Sequence, residues 1–150
     1  MLVSTKGRYA LRVMIDLVEH RDRGRIPLKE IAERQGISEK YLENILSTLV
    51  RNDVLSGMRG KGGGYCLTRE PDQFTVGEIL RLTEGSLAPV ACLTGKHCKC
   101  ENADVCSTIG MWCELDCLIS NYLDGITLLE LAERPRNGAV CRTCAEAKSE

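Results

Sequence analysis

The chain has 150 residues, of which 43% are hydrophobic and only 4% aromatic, and its formal net charge at pH 7 is −1. This length fits one ordinary domain with at most a small oligomerisation arm, and the scarcity of aromatic residues favours an aliphatic, mostly helical core over a β-sandwich. No run of about 18 apolar residues occurs, and the charged N-terminal segment lacks the apolar block of a signal peptide. The composition therefore excludes a membrane-spanning protein and predicts a cytoplasmic one.

Charge is distributed unevenly along the chain. Residues 1–69 contain 13 Lys and Arg against 8 Asp and Glu, a balance of +5, whereas residues 70–150 contain 7 against 13, a balance of −6. We therefore expect a polyanion such as DNA to bind the N-terminal half. Many solvated surfaces reach an excess of +5, so the charge supports this interpretation and does not carry it alone.

The first third of the chain predicts a helix–turn–helix. Apolar residues recur at helical spacing over residues 5–19, 28–34 and 39–51. Gly36 ends the second of these helices, and Ser38 is a good N-cap for the third. Two helices joined by a short turn that contains glycine are typical of this DNA-binding motif.

Two short apolar runs follow, over residues 54–58 and 65–68, and they enclose the basic, glycine-rich segment 59–64. A strand, a flexible tip and a returning strand predict a β-hairpin wing. The predicted fold is therefore mainly α with a small β-hairpin wing.

The remainder of the chain predicts further helices around an irregular segment. Residues 76–82 predict a fourth helix, and residues 85–104 lack periodicity and predict a loop. A long helix is predicted over residues 105–123, and a short one capped by a threonine over residues 127–132. From residue 135 the composition turns polar, which predicts a mobile tail.

The third helix carries the candidate DNA-reading side chains. In a helix–turn–helix, the N-terminal residues of the second helix of the pair meet base edges in the major groove. Lys40 can contact guanine or phosphate, Asn44 suits adenine, and Glu43 can accept a hydrogen bond from cytosine N4. Phosphates repel the Glu43 carboxylate, so this residue should penalise most sequences. On an isolated helix such residues would be ordinary solvated side chains, but the adjacent hairpin favours DNA contact. The predicted contacts on this helix are Ser38, Lys40, Tyr41, Glu43 and Asn44.

Arg59 and Lys61 lie at the predicted tip of the hairpin. A guanidinium group on a glycine-rich tip can enter a narrow minor groove, where A·T-rich DNA concentrates negative potential. The neighbouring glycines would permit close backbone approach and positive φ angles. A nucleotide-binding loop is the alternative, but the chain shows neither the strand–loop–helix order nor the Gly-Lys-Ser/Thr sequence of such loops. We predict that both side chains contact DNA.

Six of the nine cysteines fall within 26 positions, together with His97. Thiolates so close together suit an iron–sulfur cluster, zinc or copper(I). Their clustering in a reducing compartment favours a metal site or redox sensor over a disulfide framework. These six are Cys92, Cys98, Cys100, Cys106, Cys113 and Cys117.

Several of the cysteines have simpler interpretations than binding a cluster. Cys113 and Cys117 are expected to pack as small hydrophobic residues on the long helix, and Cys66 to be structural. The pair at residues 141 and 144 is an isolated Cys-x2-Cys, which could form a labile disulfide or bind zinc. No Ser/His/Asp set is evident, and only two histidines are available for acid–base chemistry. The sequence predicts that the protein is not an enzyme.

Four segments together resemble the bacterial winged-helix regulators typified by IscR, a regulator of iron–sulfur-cluster biogenesis, and CymR, a regulator of cysteine metabolism. They are Ser4-Thr-Lys-Gly-Arg-Tyr-Ala10, Glu33-Arg-Gln-Gly-Ile-Ser38, Tyr41-Leu-Glu43 and Arg59-Gly-Lys-Gly-Gly-Gly-Tyr65. The resemblance extends from about residue 2 to residue 134. It implies a homodimer on pseudo-palindromic double-stranded DNA, with recognition helices in successive major grooves and wings in the flanking minor grooves. It also implies that Glu43 discriminates between two classes of operator.

The resemblance further implies a 2Fe–2S cluster, held in IscR-like proteins by Cys-x5-Cys-x5-Cys-x2-His. Cys92 and Cys98 match the first pair, but seven residues separate Cys98 from Cys106. Because Cys100 restores the spacing of five to Cys106, the middle ligand could be Cys98 or Cys100. Ile109 occupies the histidine position and cannot bind iron, so the fourth ligand must come from elsewhere. Cys100 is slightly favoured over His97, Cys113 and a residue of the partner subunit. The predicted metal ligands are Cys92, Cys98, Cys100 and Cys106.

The predicted organisation has four parts. Residues 1–84 form a winged helix–turn–helix domain, residues 85–106 a cluster-binding loop, residues 105–134 a dimerisation helix with a short C-terminal helix, and residues 135–150 a flexible tail. The predicted function is a transcriptional regulator whose operator binding depends on an iron–sulfur cluster, controlling cluster biogenesis or related genes.

Two other functions stay open. One is a cluster-free repressor of cysteine metabolism that senses thiol status or a partner enzyme, because residues 84–89 (EGSLAP) look closer to the CymR-like branch. The other is a zinc-stabilised protein-interaction module, which leaves the basic hairpin unexplained.

Overall fold

The computed structural model describes residues 3–95 and 103–134. Within those ranges the chain forms six α-helices and one two-stranded sheet, which agrees with the predicted fold class. The elements in chain order are α1 (Thr5–Glu19), α2 (Leu28–Gln35), α3 (Glu39–Arg51), β1 (Leu55–Met58), β2 (Gly64–Leu67), α4 (Val76–Glu84), α5 (Ile109–Asp124) and α6 (Leu128–Glu133).

Local capping signals fix the boundaries of the first three helices. The Ser4 hydroxyl accepts a hydrogen bond from the Gly7 amide at 3.3 Å, and the Ser38 hydroxyl accepts one from the Tyr41 amide at 3.3 Å. Each satisfies an amide that has no partner within its own helix. Gly36 ends α2 in the left-handed conformation, with φ of 65°, which glycine adopts without steric cost. The predicted bounds of α1 and α3 are therefore confirmed.

The wing is a regular antiparallel hairpin. Leu55 lies opposite Leu67, and Met58 lies opposite Gly64. Gly60 and Gly62, between the strands, have φ of 92° and 76°, so the tip uses the positive φ angles that its glycines were predicted to provide. The hairpin is attached to the helices because the Ile26 and Tyr65 backbones exchange two hydrogen bonds of 2.9 Å.

The core is assembled by elements from both ends of the described chain. Its buried residues come from every helix except α5 and from the segments between the helices. The largest contributions are those of α1, with Ala10, Val13, Met14 and Leu17, and of α3, with Leu42, Ile45, Leu46 and Leu49. Leu128 of α6 is fully buried in the same cluster as Phe74. Two backbone hydrogen bonds of 2.9 Å hold α6 in place, from Leu128 to Phe74 and from Val76 to Ile126. Burying each large aliphatic side chain contributes roughly 1.5–3 kcal/mol, so α6 belongs to the same core as α1, α2, α3 and α4.

The long helix differs from its prediction in where it begins. It begins at Ile109 instead of residue 105, because Ala103–Val105 forms a separate 3-10 turn closed by a 3.3 Å hydrogen bond from the Cys106 amide to the Ala103 carbonyl. Ser and Thr at positions 107 and 108 favour a helix boundary over a helix interior. Cys106 consequently precedes α5 and does not share a helix face with Cys113 and Cys117.

The packing of α5 also differs from expectation. None of its residues is buried, and Cys113 and Cys117 are exposed, so the prediction that they pack as core residues is wrong for this chain alone. The inner side of α5 contacts α4, where Arg81 donates to both carboxylate oxygens of Asp124 at 2.6 and 2.8 Å. No helix of the described residues is both long and apolar enough to cross a bilayer.

Candidate DNA-binding surface and cysteine segment

The apolar stripe of α3 determines which of its side chains face solvent. Leu42, Ile45, Leu46 and Leu49 are completely buried, and at about 100° per residue their mean direction lies opposite that of Lys40, Glu43, Asn44 and Ser47. Lys40, Glu43 and Asn44 are exposed. The structure therefore presents these predicted DNA-contacting side chains together on one face.

Ser38 and Tyr41 have structural contacts at the start of the same helix. The Ser38 hydroxyl accepts the Tyr41 amide hydrogen bond described above. The Tyr41 ring is partly buried and packs edge-on against the Tyr9 ring of α1, with centroids 6.0 Å apart and planes at 84°. Such aromatic pairs contribute about 0.5–1.5 kcal/mol beyond area burial. The pair fixes the N-terminal end of α3 against α1.

The wing brings a second group of predicted residues beside α3. Arg59 and Lys61 are exposed at the tip. A cleft of about 220 Å³ separates the wing from α3, and its lining includes Glu43 and Ser47 from the helix and Met58 and Arg59 from the wing. A carboxylate and a guanidinium predicted from separate motifs thus line one cleft, and their opposite charges suit different features of a nucleic acid.

A charge network sets the angle between α1 and α2. Asp16 is 3% exposed, and its carboxylate accepts hydrogen bonds of 2.8 and 2.7 Å from Arg34. The Asp16 hydrogen bond is the main reason that the pKa of Arg34 is raised, and Glu30 adds to the effect. Glu30 also pairs with Arg23, and the hydrogen bond from Arg23 is the main cause of the lowered pKa of Glu30. Removing one partner of such a buried pair is costly because a charge is left uncompensated.

Three basic side chains of α1 were missed by the sequence analysis. Lys6 donates to the Thr48 hydroxyl of α3 at 3.3 Å. Arg12 donates to the side-chain and backbone oxygens of Gln35 at 3.1 and 3.0 Å, and lies 4.9 Å above the Tyr9 ring. Arg8 donates to the Thr5 hydroxyl at 3.2 Å and is exposed. The signal available in the sequence was the run of basic residues in the segment 4–12.

Cys92 and Cys106 bracket the irregular segment between α4 and α5. Cys92 lies in a 3-10 turn, Ala91–Leu93, and both side chains are partly exposed. The Thr108 hydroxyl, 3.5 Å from the Cys106 sulfur, is the main cause of a lowered Cys106 pKa. Because the thiolate is the form that binds metals, this environment fits a metal ligand.

The other predicted ligands are not part of the described structure. Cys98, Cys100 and His97 lie outside the described residues, as do Cys141 and Cys144. Among the residues that are described, no three Cys, His, Asp or Glu side chains converge as a metal-binding group. Ile109, at the first residue of α5, offers no donor atom. The donor chemistry at Cys92 and Cys106 fits an iron–sulfur cluster, and the complete ligand set stays a prediction.

Comparison with known proteins places these features in context. The profile of the Rrf2 family, described as "Iron-dependent Transcriptional regulator", matches residues 3–134. The chain is 42% identical over 131 residues to the HTH-type transcriptional regulator IscR of Sodalis glossinidius, covering 87% of this chain and 78% of that protein.

Two solved structures are similar over nearly the whole chain. CymR of B. subtilis, described as a global cysteine regulator, is 36% identical with a TM-score of 0.73, covering 90% of this chain and 98% of that one. IscR of T. potens is 34% identical with a TM-score of 0.69, covering 92% and 94%. Both the cluster-associated and the cysteine-associated branches therefore share this mainly helical, winged architecture.

Proposed function

The chain belongs to the Rrf2 family of transcriptional regulators, and we propose that it is a homodimer in the cytoplasm whose choice of operator depends on an iron–sulfur cluster. The observation that carries this proposal is the joint placement of two separate motifs. The exposed face of α3 and the basic wing tip border one cleft, and the cysteine segment follows directly after α4 in the same chain.

DNA reading follows from the shape of this surface. The exposed face of α3 would enter the major groove, where Lys40, Glu43 and Asn44 meet base edges. Arg59 and Lys61 at the wing tip would enter the adjacent minor groove. Glu43 borders the cleft that separates helix from wing, so its carboxylate lies where it can reject bases that offer no donor.

The exposed surface of α5 supports a dimer. Met111, Leu115, Leu118 and Tyr122 recur at intervals of four, three and four residues, which places them on one side of the helix. Met111, Leu118 and Tyr122 are 53%, 67% and 65% exposed. Large contiguous apolar patches are rare on monomers, and a two-fold dimer covers one patch with its own copy. Two copies of the wing and of α3 then match a pseudo-palindromic operator.

The cysteine segment would hold a 2Fe–2S cluster through Cys92, Cys98, Cys100 and Cys106. When bound, the cluster supplies iron–thiolate bonds that order the segment and that respond to iron supply or oxidation. The segment joins α4, which is part of the DNA-reading core, to α5, which carries the proposed dimer face. A 100-fold change in operator preference needs only about 2.7 kcal/mol of differential affinity, which the ordering of one segment can provide.

Anaerobic purification followed by an absorption spectrum and assays of iron and acid-labile sulfide tests this proposal. We expect a brown protein with iron and sulfide, and different footprints on promoter DNA for the loaded and stripped forms. Cys106→Ala should abolish iron retention, whereas Cys117→Ala, which removes an exposed α5 thiol, should retain it. Absence of iron uptake, or identical footprints of the two forms, would overturn the cluster proposal.

A cluster-free regulator of cysteine metabolism is the second candidate. The TM-score of 0.73 to the B. subtilis cysteine regulator supports it, together with the resemblance of residues 84–89 to that branch. A colourless, metal-free protein whose DNA binding responds to thiol oxidation or to a partner enzyme would favour this function.

A further inference from the structure

Six basic side chains of the DNA-reading part form two groups with different partners. Arg21 and Arg25, which donate to a backbone carbonyl and to Ser56, belong to neither group. Arg23, Arg34 and Arg69 each contact a carboxylate, which neutralises them locally. The hydrogen bonds of Lys6, Arg8 and Arg12 go to threonine hydroxyls and to the oxygens of a glutamine. The positive charge of this second group remains available to an anion, and all three side chains are on α1.

The N-terminal part of α1 lies on the opposite flank of α3 from the wing. Tyr41 and Thr48, which contact α1, project about 100–160° away from Glu43 and Ser47, which border the wing cleft. Lys40 and Asn44 lie between these two directions. The exposed strip of α3 therefore has the wing tip along one edge and the basic part of α1 along the other.

The general dimensions of packed helices and of duplex DNA determine what a helix beside α3 can reach. Packed helices have axes about 8–10 Å apart, and the major groove is about 12 Å wide. When α3 lies in the groove, side chains of a helix packed beside it reach the edge of that groove, where the phosphates are. The contact of Arg12 with the Tyr9 ring and Gln35 holds its guanidinium in one place before DNA arrives.

The carboxylate nearest to the start of α1 is on another side of this helix. The Ser4 amide and hydroxyl donate to Glu84 at 3.2 and 2.7 Å, and a Cβ atom at Gly7 would collide with the same carboxylate. At about 100° per residue, the Gly7 direction is roughly 150° from the mean direction of Thr5, Arg8, Tyr9 and Arg12. Glu84 therefore lies away from Arg8 and Arg12. Asp16 and Glu19, further along α1, line a cavity with Arg12, and the Asp16 carboxylate is already bound by Arg34.

We propose that Arg8 and Arg12 form a third DNA contact, binding the phosphodiester backbone along the edge of the major groove opposite the wing. This inference rests on the proposed function and names additional residues that carry it out. Contacts to phosphate hold a protein in register but carry no base information. The α1 contact therefore adds affinity for every sequence and adds to the salt dependence of binding.

The test measures the binding constant against salt concentration for a duplex selected by the wild-type full chain from a random pool, and for an unrelated duplex of equal length. The variant is Arg8→Gln with Arg12→Gln. The matched control, Arg23→Gln with Arg69→Gln, removes the same number of charges from arginines that pair with carboxylates. Each lost phosphate contact lowers the slope of log K against log salt by about 0.9, so two per protomer should lower it by about 3–4 in a dimer. We expect this loss on both duplexes for the variant and an unchanged slope for the control.

A second variant, Arg8→Lys with Arg12→Lys, separates charge from structure. Lysine keeps the charge but not the paired hydrogen bonds to Gln35, so this variant should restore most of the slope. The thermal midpoint of each variant shows whether the protein is folded. The α1 contact would be overturned if the glutamine variant kept the wild-type slope, or if the lysine variant failed to restore it. In either case the wild-type protein would still prefer the selected duplex, so the proposed function would stand. If the wild-type protein bound the selected and the unrelated duplex equally well, the proposed function itself would be overturned.

Discussion

The DNA-reading part of the molecule, residues 3–84, and the part that follows it, residues 85–124, differ in how they are held. The first has a continuous core, and its ion pairs and helix caps fix the relative positions of α1, α2 and α3. In the second, α5 has no buried residue, and its described contacts are mainly with α4. Packing in the first part is complete within one chain, whereas the second presents an exposed apolar stripe on α5. The difference indicates that the proposed recognition surface is formed by one protomer, whereas the proposed dimer face requires a second copy.

The largest effect should follow from breaking the charge network of the first part. Arg34→Met removes two hydrogen bonds to the buried Asp16 carboxylate and leaves the one from the Gln35 side chain at 3.1 Å. Breaking such a buried ion pair costs about 3–5 kcal/mol. Denaturant unfolding should show a loss of this size. Arg23→Met, which removes an exposed partner of Glu30, should cost less than about 1 kcal/mol. Similar losses for both variants would show that the buried carboxylate is not what makes the network costly to break.

A substitution on the exposed face of α5, in the second part, should change the proposed dimerisation and leave the folding of the protomer intact. Leu118→Asp places a charge in the apolar stripe of α5, where each large aliphatic side chain contributes roughly 1.5–3 kcal/mol when covered. Sedimentation should show dissociation of the dimer with little change in helix content. Cys117→Asp, which adds the same charge at an exposed position about 130° from the stripe, serves as the control and should leave the dimer intact. A Leu118→Asp variant that sediments like the wild type would mean that the stripe is not the interface.

Specificity should depend on one carboxylate of the first part. Glu43→Ala removes the group that rejects unsuitable bases, so differences in affinity between operator variants should shrink by about 1–3 kcal/mol, with the salt dependence of binding little changed. Competition binding on a panel of operators measures this. Glu39→Ala, at the first residue of α3, is the matched control. Unchanged discrimination after Glu43→Ala would remove this residue from the reading surface.

The smallest effect concerns the ion pair between the two parts. The Arg81 hydrogen bond lowers the pKa of Asp124 below its ordinary value of 3.8. The pair therefore stabilises the fold above that value, and the contribution is lost as pH falls through the lowered pKa. Because the side chains are 39% and 44% exposed, we expect at most about 1 kcal/mol. Thermal midpoints of the wild type and Asp124→Asn should differ at neutral pH and converge as the pH falls through the lowered pKa of Asp124.

An exposed aspartate provides the comparison for that titration. Asp72→Asn should show no such convergence, because its midpoint should match that of the wild type at neutral pH. A constant offset between the wild type and Asp124→Asn from neutral to acidic pH would show that the ion pair is not the source of the difference.

Features set by neighbouring residues in the chain could be predicted, and features set by distant packing could not. The bounds of α1 and α3 follow from serine caps and from apolar stripes, which are local. The start of α5 was predicted four residues early because Val105 continues the apolar pattern, although it belongs to a separate turn. The exposure of Cys113 and Cys117 depends on what covers each side of α5, and periodicity does not contain that information.

The candidate site divides in the same way. Lys40, Glu43, Asn44 and Arg59 could be identified from motif spacing. Their arrangement around one cleft depends on the pairing of the Ile26 and Tyr65 backbones, which joins the wing to the helices. The basic side chains of α1 were missed because their relation to Thr48 and Gln35 is created by helix packing. The ligand set among the cysteines stays a prediction, since the middle of that segment is outside the described residues.

The burial of Leu128 beside Phe74 has a consequence for synthesis of the protein. A chain still emerging from the ribosome cannot complete the hydrophobic interior of its DNA-reading part until α6 has left the exit tunnel, after both the cysteine segment and α5. Translation that stops earlier would yield a fragment with an open interior, which chaperones and proteases would meet before any promoter does. The order of residues along the chain thereby restricts a complete core to molecules that already contain the cysteine segment and α5.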